Sequence, residues 1–236
     1  MTGTYSLFVA SLSENSFLSY ILPALIGAIG GSVGGNFLTD WFARRTEKER
    51  IRRELVDKYL IQLQDNLESL WFRLDNMKYQ DGLQKMTDSY YEISTLYILG
   101  SVLAHNRILS YEGVYTKIEQ LIPGLGNFLR DKMNQFGSYL DKIDPNIHFY
   151  QYDRIALAEA VMSFNAERHI IASYLQFGKQ YEDPSSNLKT ILSPAKEFIT
   201  KIRSAELDLL MEKISEIANK IDNQTGITTG IKNSTY

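Results

Sequence analysis

The stretch IRRELVDKYLIQLQDNLESLWFRLDNM, residues 51–77, carries apolar side chains at Ile51, Leu55, Tyr59, Leu63, Leu67, Leu70, Leu74 and Met77, and no glycine or proline follows until Gly82. Steps of three and four residues match the turn of an α-helix, so the stretch predicts one long amphipathic helix. Its single apolar stripe needs partners, and the downstream sequence supplies them in the same periodicity. Ser89-Tyr-Tyr-Glu92 has the spacing of a capping box and opens a helix predicted to reach Tyr111, with Gly113 as its stop. Pro123-Gly-Leu-Gly126 breaks the chain, and Leu129, Met133, Phe136 and Leu140 mark the next stripe, which ends before Asp144-Pro145.

Residues 150–181, with Leu157, Val161, Phe164, Arg168, Ile171 and Leu175 in step, predict another long helix. Ser193 followed by Pro194 opens the last one, which carries Ile202, Leu209, Ile214, Ile217 and Ile221. No segment alternates with period two between hairpin turns, so the expected class is all-α, a four- or five-helix bundle with long antiparallel helices.

Upstream of residue 51 the pattern changes. Asn15 to Thr39 are 25 residues without a formal charge, long enough at about 1.5 Å per residue to cross a hydrocarbon core of about 30 Å. Ten large apolar residues favour insertion, while five glycines, Pro23 and Asn36 oppose it. No Lys or Arg precedes residue 44, and Arg44, Arg45, Lys48, Arg50, Arg52 and Arg53 follow directly. The positive-inside bias therefore predicts a single-pass inner-membrane protein with its N-terminus outside and the helical part cytoplasmic. The basic n-region and small-residue cleavage site of a secretory signal are missing.

Gly27, Gly31 and Gly35 form one small-residue row and Gly30 and Gly34 the adjacent one. Such rows allow close backbone approach in lipid, so the segment is expected to self-associate or to pack on another membrane protein. The same glycines lack the strand context of a dinucleotide fingerprint and the Gly-Lys-Ser/Thr ending of a phosphate loop. The expected organisation is a short extracytoplasmic tail (1–15), a transmembrane helix (16–39), a charged juxtamembrane helix continuing into the bundle (40–81), the helical bundle (82–222) and a disordered tail (223–236).

A formal charge of −3 and a pI near 5.7 give no electrostatic footprint for nucleic acid. With no cysteine, thiolate metal sites, disulfides and cysteine nucleophiles are excluded. His105, His148 and His169 form no paired metal-ligand motif, and Glu167-Arg168-His169 has the wrong spacing for a carboxylate-bridged di-iron bundle, so neither metal nor cofactor is expected. The chemistry-bearing candidates are charges beside apolar stripes: Arg73 and Asp75, Arg107 and Glu112, Arg154 and Glu159. Converging, they would bind an anionic ligand or hold a general acid and base; otherwise they are ion pairs fixing helix register.

The segments Leu63 to Leu74, Ser94 to Gly100, Ile108 to Glu112 and Phe149 to Glu159 resemble an uncharacterised family of bacterial single-span membrane proteins with a cytoplasmic all-helical domain. The similarity covers roughly residues 44–162. It implies the architecture of anchor, charged helix and helical domain, and no mechanism. In that family an acidic residue stands where this chain has Arg107, and a tryptophan lies near the position of His105. The leading expectation is a non-enzymatic scaffold, sensor or partner-binding module at the lipid bilayer. A ligand-binding protein or enzyme using the Arg/carboxylate cluster, and a membrane-permeabilising effector, are the alternatives.

Overall fold

The computed structural model describes residues 32–79, 89–143, 149–165, 168–202 and 204–231, and the chain divides into two compact units, Met1–Ile51 and Arg52–Tyr236. In the first unit the described backbone is helical from Ser32 onward, within α1 (Ser32–Leu55). Residues 40–51 of this helix are almost wholly exposed, with Arg50 gripping Glu47 through two hydrogen bonds of 2.6 and 2.8 Å and Arg45 placed over the Trp41 ring. Among the described residues, no helix is long and apolar enough to cross a membrane. The predicted span lies outside the described residues up to Gly31, as do Gly27, Gly30 and Gly31 themselves, whereas Gly34 and Gly35 fall in α1.

The second unit is an all-helical bundle. A π-helical turn at Val56–Leu60 is followed by α2 (Ile61–Tyr79), which buries Leu63, Leu67, Leu70, Leu74 and Met77 in the expected stripe. The central element is α3 (Ser89–Tyr111), buried nearly all round from Ile93 to His105, as a helix with apolar residues on every face must be. It packs against α2, against α6 (Gln151–Val161), and against the short helices α7 (Tyr174–Glu182) and α9 (Ser193–Lys201). Gly100 makes the α3–α6 approach close: a Cβ there would overlap Val161 and stand 3.2 Å from the Leu157 carbonyl oxygen. α10 (Ser204–Thr225) closes the core against α2 and α5 (Leu125–Leu140). Between α7 and α9 lies the single turn α8 (Leu188–Ile191).

The predicted breaker at Pro123 to Gly126 uses its two glycines for different reasons. Gly124 sits at φ 83°, a left-handed conformation that glycine adopts without steric cost. Gly126 is helical, but α4 (Val114–Leu121) crosses so near that an added Cβ would overlap the Tyr115 carbonyl oxygen and stand 2.6 Å from the Glu119 nitrogen. Glu119 then caps α5, accepting from the Gly124 and Asn127 amides at 2.8 and 2.9 Å. These backbone hydrogen bonds hold its carboxyl below the usual value.

Three sequence expectations need correction. The long helix over 150–181 is instead α6, a two-stranded antiparallel hairpin of β1 (Met162–Asn165) and β2 (Arg168–Ile171), and α7. Phe164 and Leu175, counted in the helical stripe, are each 66% exposed, and the β-branched pair Ile170-Ile171 suits a strand. The last predicted helix is broken at Ile202, whose ψ of 134° is extended. The predicted helix start at Ser89 is observed, and Glu92 of the expected capping box also reaches across the bundle: one carboxylate oxygen accepts from the Tyr181 hydroxyl and the other pairs with Lys196 at 2.7 Å. Finally, residues 223–225 complete α10, and the following segment lies against α2. There Gly230 donates to Glu68 at 2.8 Å and Ile231 is buried, so the predicted disordered tail does not begin at 223.

Candidate functional site

The six charged candidates fall in three places. Arg73 and Asp75 lie on α2 beside the start of α3, where the Arg73 guanidinium stacks over the Tyr91 ring at 5.3 Å and Asp75 is half-buried. Glu112, just after α3, joins the π-helical turn to the hairpin. It accepts from the Tyr59 hydroxyl at 2.6 Å and from the His169 amide at 3.2 Å. Burial first, and then the Glu112 carboxylate, push the Tyr59 hydroxyl up to about 12, so it remains a donor at neutral pH. An open cleft of about 430 Å³ adjoins this junction, lined among others by Lys58, Asn66, His105 and Arg168.

Arg107 and Arg154 are the pair that the fold brings together. They line one cleft of about 470 Å³ between α3, α5 and α6. Helical spacing explains the walls. Leu103, Arg107 and Ser110 follow one face of α3, Asn134, Gly137, Ser138 and Asp141 one face of α5, and Gln151, Arg154 and Ala158 one face of α6. The buried residues Leu103, Met133 and Ala158 form an apolar floor, and amide and hydroxyl side chains form the rim.

The two arginines are held differently. Arg107 pairs with Glu159 at 2.7 Å, bonds the Tyr111 hydroxyl and stacks on that ring at 4.8 Å. The Glu159 side chain is 58% exposed, so this pair is a surface bridge, of a kind worth at most about 1 kcal/mol. Arg154 is only 12% exposed and stands 3.8 Å from Asp141, too far for a hydrogen bond; its firm contact is a 3.3 Å bond to the Phe149 carbonyl. Burial pulls its guanidinium below the ordinary value, against the attraction of Asp141 and Asp153. Arg107 Nε and Asp141 Oδ1 are buried without a hydrogen-bond partner.

Sequence reasoning missed Asp141, Gly137 and the amide-bearing rim. A signal was present: Asn134, Ser138 and Asp141 form a polar row beside the Met133, Phe136, Leu140 stripe, with a glycine in the middle of an otherwise regular helix. Among the described residues, no group of three or more His, Asp or Glu side chains is placed to hold a metal ion. No protein-family model, no curated protein and no solved structure matches this chain.

Proposed function

We propose that this protein is a membrane-anchored binding module, in which a glycine-rich single span holds a helical scaffold or sensor domain beneath the inner face of the bilayer. The observation that carries the binding role is the cleft between α3, α5 and α6, lined by two guanidinium groups from different helices, the Asp141 carboxylate and neutral hydrogen-bonding side chains. The anchor is supported by the uncharged run Asn15 to Thr39 and the basic cluster from Arg44 to Arg53 behind it. The rows of Gly27, Gly31 and Gly35 and of Gly30 and Gly34 support self-association in the membrane or docking on another membrane helix.

The test is a pull-down with two differently tagged copies of the full chain, solubilised in mild detergent. Wild-type copies are expected to recover one another, and the combined change Gly27→Leu, Gly31→Leu and Gly35→Leu is expected to lose that recovery while the protein stays in the membrane fraction. Unchanged recovery with insertion intact would reduce the segment to a simple anchor.

A further inference from the structure

We propose that the cleft between α3, α5 and α6 binds a zwitterionic small molecule of the free amino-acid type, its carboxylate on Arg107 and Arg154 and its ammonium on Asp141. The inference rests on the reading of the helical domain as a binding module and assigns the ligand class. A volume of about 470 Å³ suits a small ligand.

Three observations point to both charges on one molecule. First, among the described residues three buried side-chain polar atoms have no hydrogen-bond partner, and two of them, Arg107 Nε and Asp141 Oδ1, belong to residues that line this cleft. One is a donor and the other an acceptor, so their needs are complementary and opposite. Second, the cleft is lined by charges of both signs, Arg107 and Arg154 against Asp141, while Glu159 pairs with Arg107 from outside the lining. A bare anion would meet Asp141 and a bare cation two guanidinium groups, whereas a zwitterion meets an opposite charge at each end. Third, Arg154 and Asp141 face each other across 3.8 Å without a hydrogen bond, while Arg107 and Glu159 close to 2.7 Å. A pair whose task is to fix helix register closes in the second way; in the open pair neither charge is spent on the other, and Arg154 is held only through the Phe149 carbonyl.

Gly137 adds an argument from packing. It is a poor helix former inside α5, its φ is not positive, and an added Cβ would meet nothing nearer than Arg154 Nε at 4.0 Å. Neither conformation nor close approach demands glycine there. What its missing side chain provides is open space beside Arg154.

The experiment is calorimetric titration of the full chain, in detergent or nanodiscs, with each proteinogenic L-amino acid, and with acetate, inorganic phosphate and ethylammonium as single-charge probes. At least one amino acid is expected to bind and the single-charge probes are not. Asp141→Asn and Arg154→Gln should each weaken binding by about tenfold or more, the loss of one charge-assisted contact. Gly137→Leu, which fills the cleft with a better helix former, should abolish binding without lowering Tm, and it keeps the test decisive if a charge variant misfolds. Binding of no amino acid, binding undisturbed by Gly137→Leu, or phosphate binding indifferent to Asp141→Asn would each overturn the assignment. The pull-down on the same preparation separates the two readings: self-association without amino-acid binding removes the ligand and leaves the membrane module standing.

Discussion

Acidification is expected to destabilise the helical domain by about 3 kcal/mol through His105 alone. This histidine is 2% exposed in the middle of α3, with the Asn66 amide nitrogen 2.9 Å from its Nδ1. Burial pulls the imidazole from its ordinary 6.5 down to about 4. The neutral ring is the form that accepts from Asn66. In the unfolded chain the ring takes up its proton near 6.5, while the folded chain resists until about 4. The unfolded state therefore binds more protons across that window, and stability falls as the pH falls through it. Above 6.5 the contribution is fully present, and below about 4 the loss is complete. The interval corresponds to about 3 kcal/mol at about 1.4 kcal/mol per pH unit. Urea unfolding at a series of pH values tests this. His105→Gln keeps an acceptor for Asn66 without a titrating group, and should flatten the acid dependence by that amount. The Glu119 and Asp183 carboxyls, both held below their usual values by hydrogen bonds, titrate equally in both proteins and so cancel. An unchanged slope in the variant would show that His105 is not the buried neutral group described.

Gly126→Ala is expected to cost about 3 kcal/mol, an unusually large effect for one added methyl group. The new Cβ would meet backbone, the Tyr115 carbonyl oxygen and the Glu119 nitrogen at 2.6 Å, and neither can rotate away. Relief requires α4 and α5 to separate, which strains the Glu119 cap at the same crossing. Gly100→Ala offers the contrast. Its worst contact is a Val161 methyl group, a side chain rather than backbone, and its approach to backbone is 3.2 Å. With the better helix propensity of alanine offsetting part of the strain, the expected net cost is about 1 kcal/mol. Thermal and urea denaturation of the two variants should rank them in that order. The reverse order would mean that the α4–α5 crossing yields more readily than its contacts indicate.

The helices of the core were legible wherever one face alone is buried. The stripe from Leu63 to Met77 on α2 and that from Leu129 to Leu140 on α5 are the observed buried faces. Legibility failed where tertiary contacts decide. Residues 162–165 and 168–171 keep an apolar rhythm compatible with a helix, yet form two antiparallel strands fixed by pairing of Met162 with Ile171 and by the Glu112 carboxylate at the His169 amide. The π-helical turn at Val56–Leu60 has no marker in the sequence; its backbone shows it, with the Ile61 amide bonding the Val56 carbonyl. Ile231 is buried although its neighbours in sequence are Thr, Gly, Lys and Asn, because the chain returns to α2. The candidate site was half legible. Arg107 and Arg154 share a cleft because each lies on an α3 or α6 face turned toward α5, whereas Arg73 marks the opposite end of α3. Asp141 and Gly137 escaped notice since neither breaks the α5 pattern.

The proposed anchor bears most directly on what the helical domain is for, and the absence of cysteine makes it simple to test. Single cysteines at Ser11→Cys, before the uncharged run, and at Thr190→Cys, an exposed position of α8, report the two sides. In bacterial spheroplasts a membrane-impermeant maleimide is expected to label Ser11→Cys at once and Thr190→Cys only after lysis, with both proteins in the membrane fraction. Labelling of Thr190→Cys in intact spheroplasts, or recovery of the full chain in the soluble fraction, would contradict a single-span protein with its binding domain in the cytoplasm.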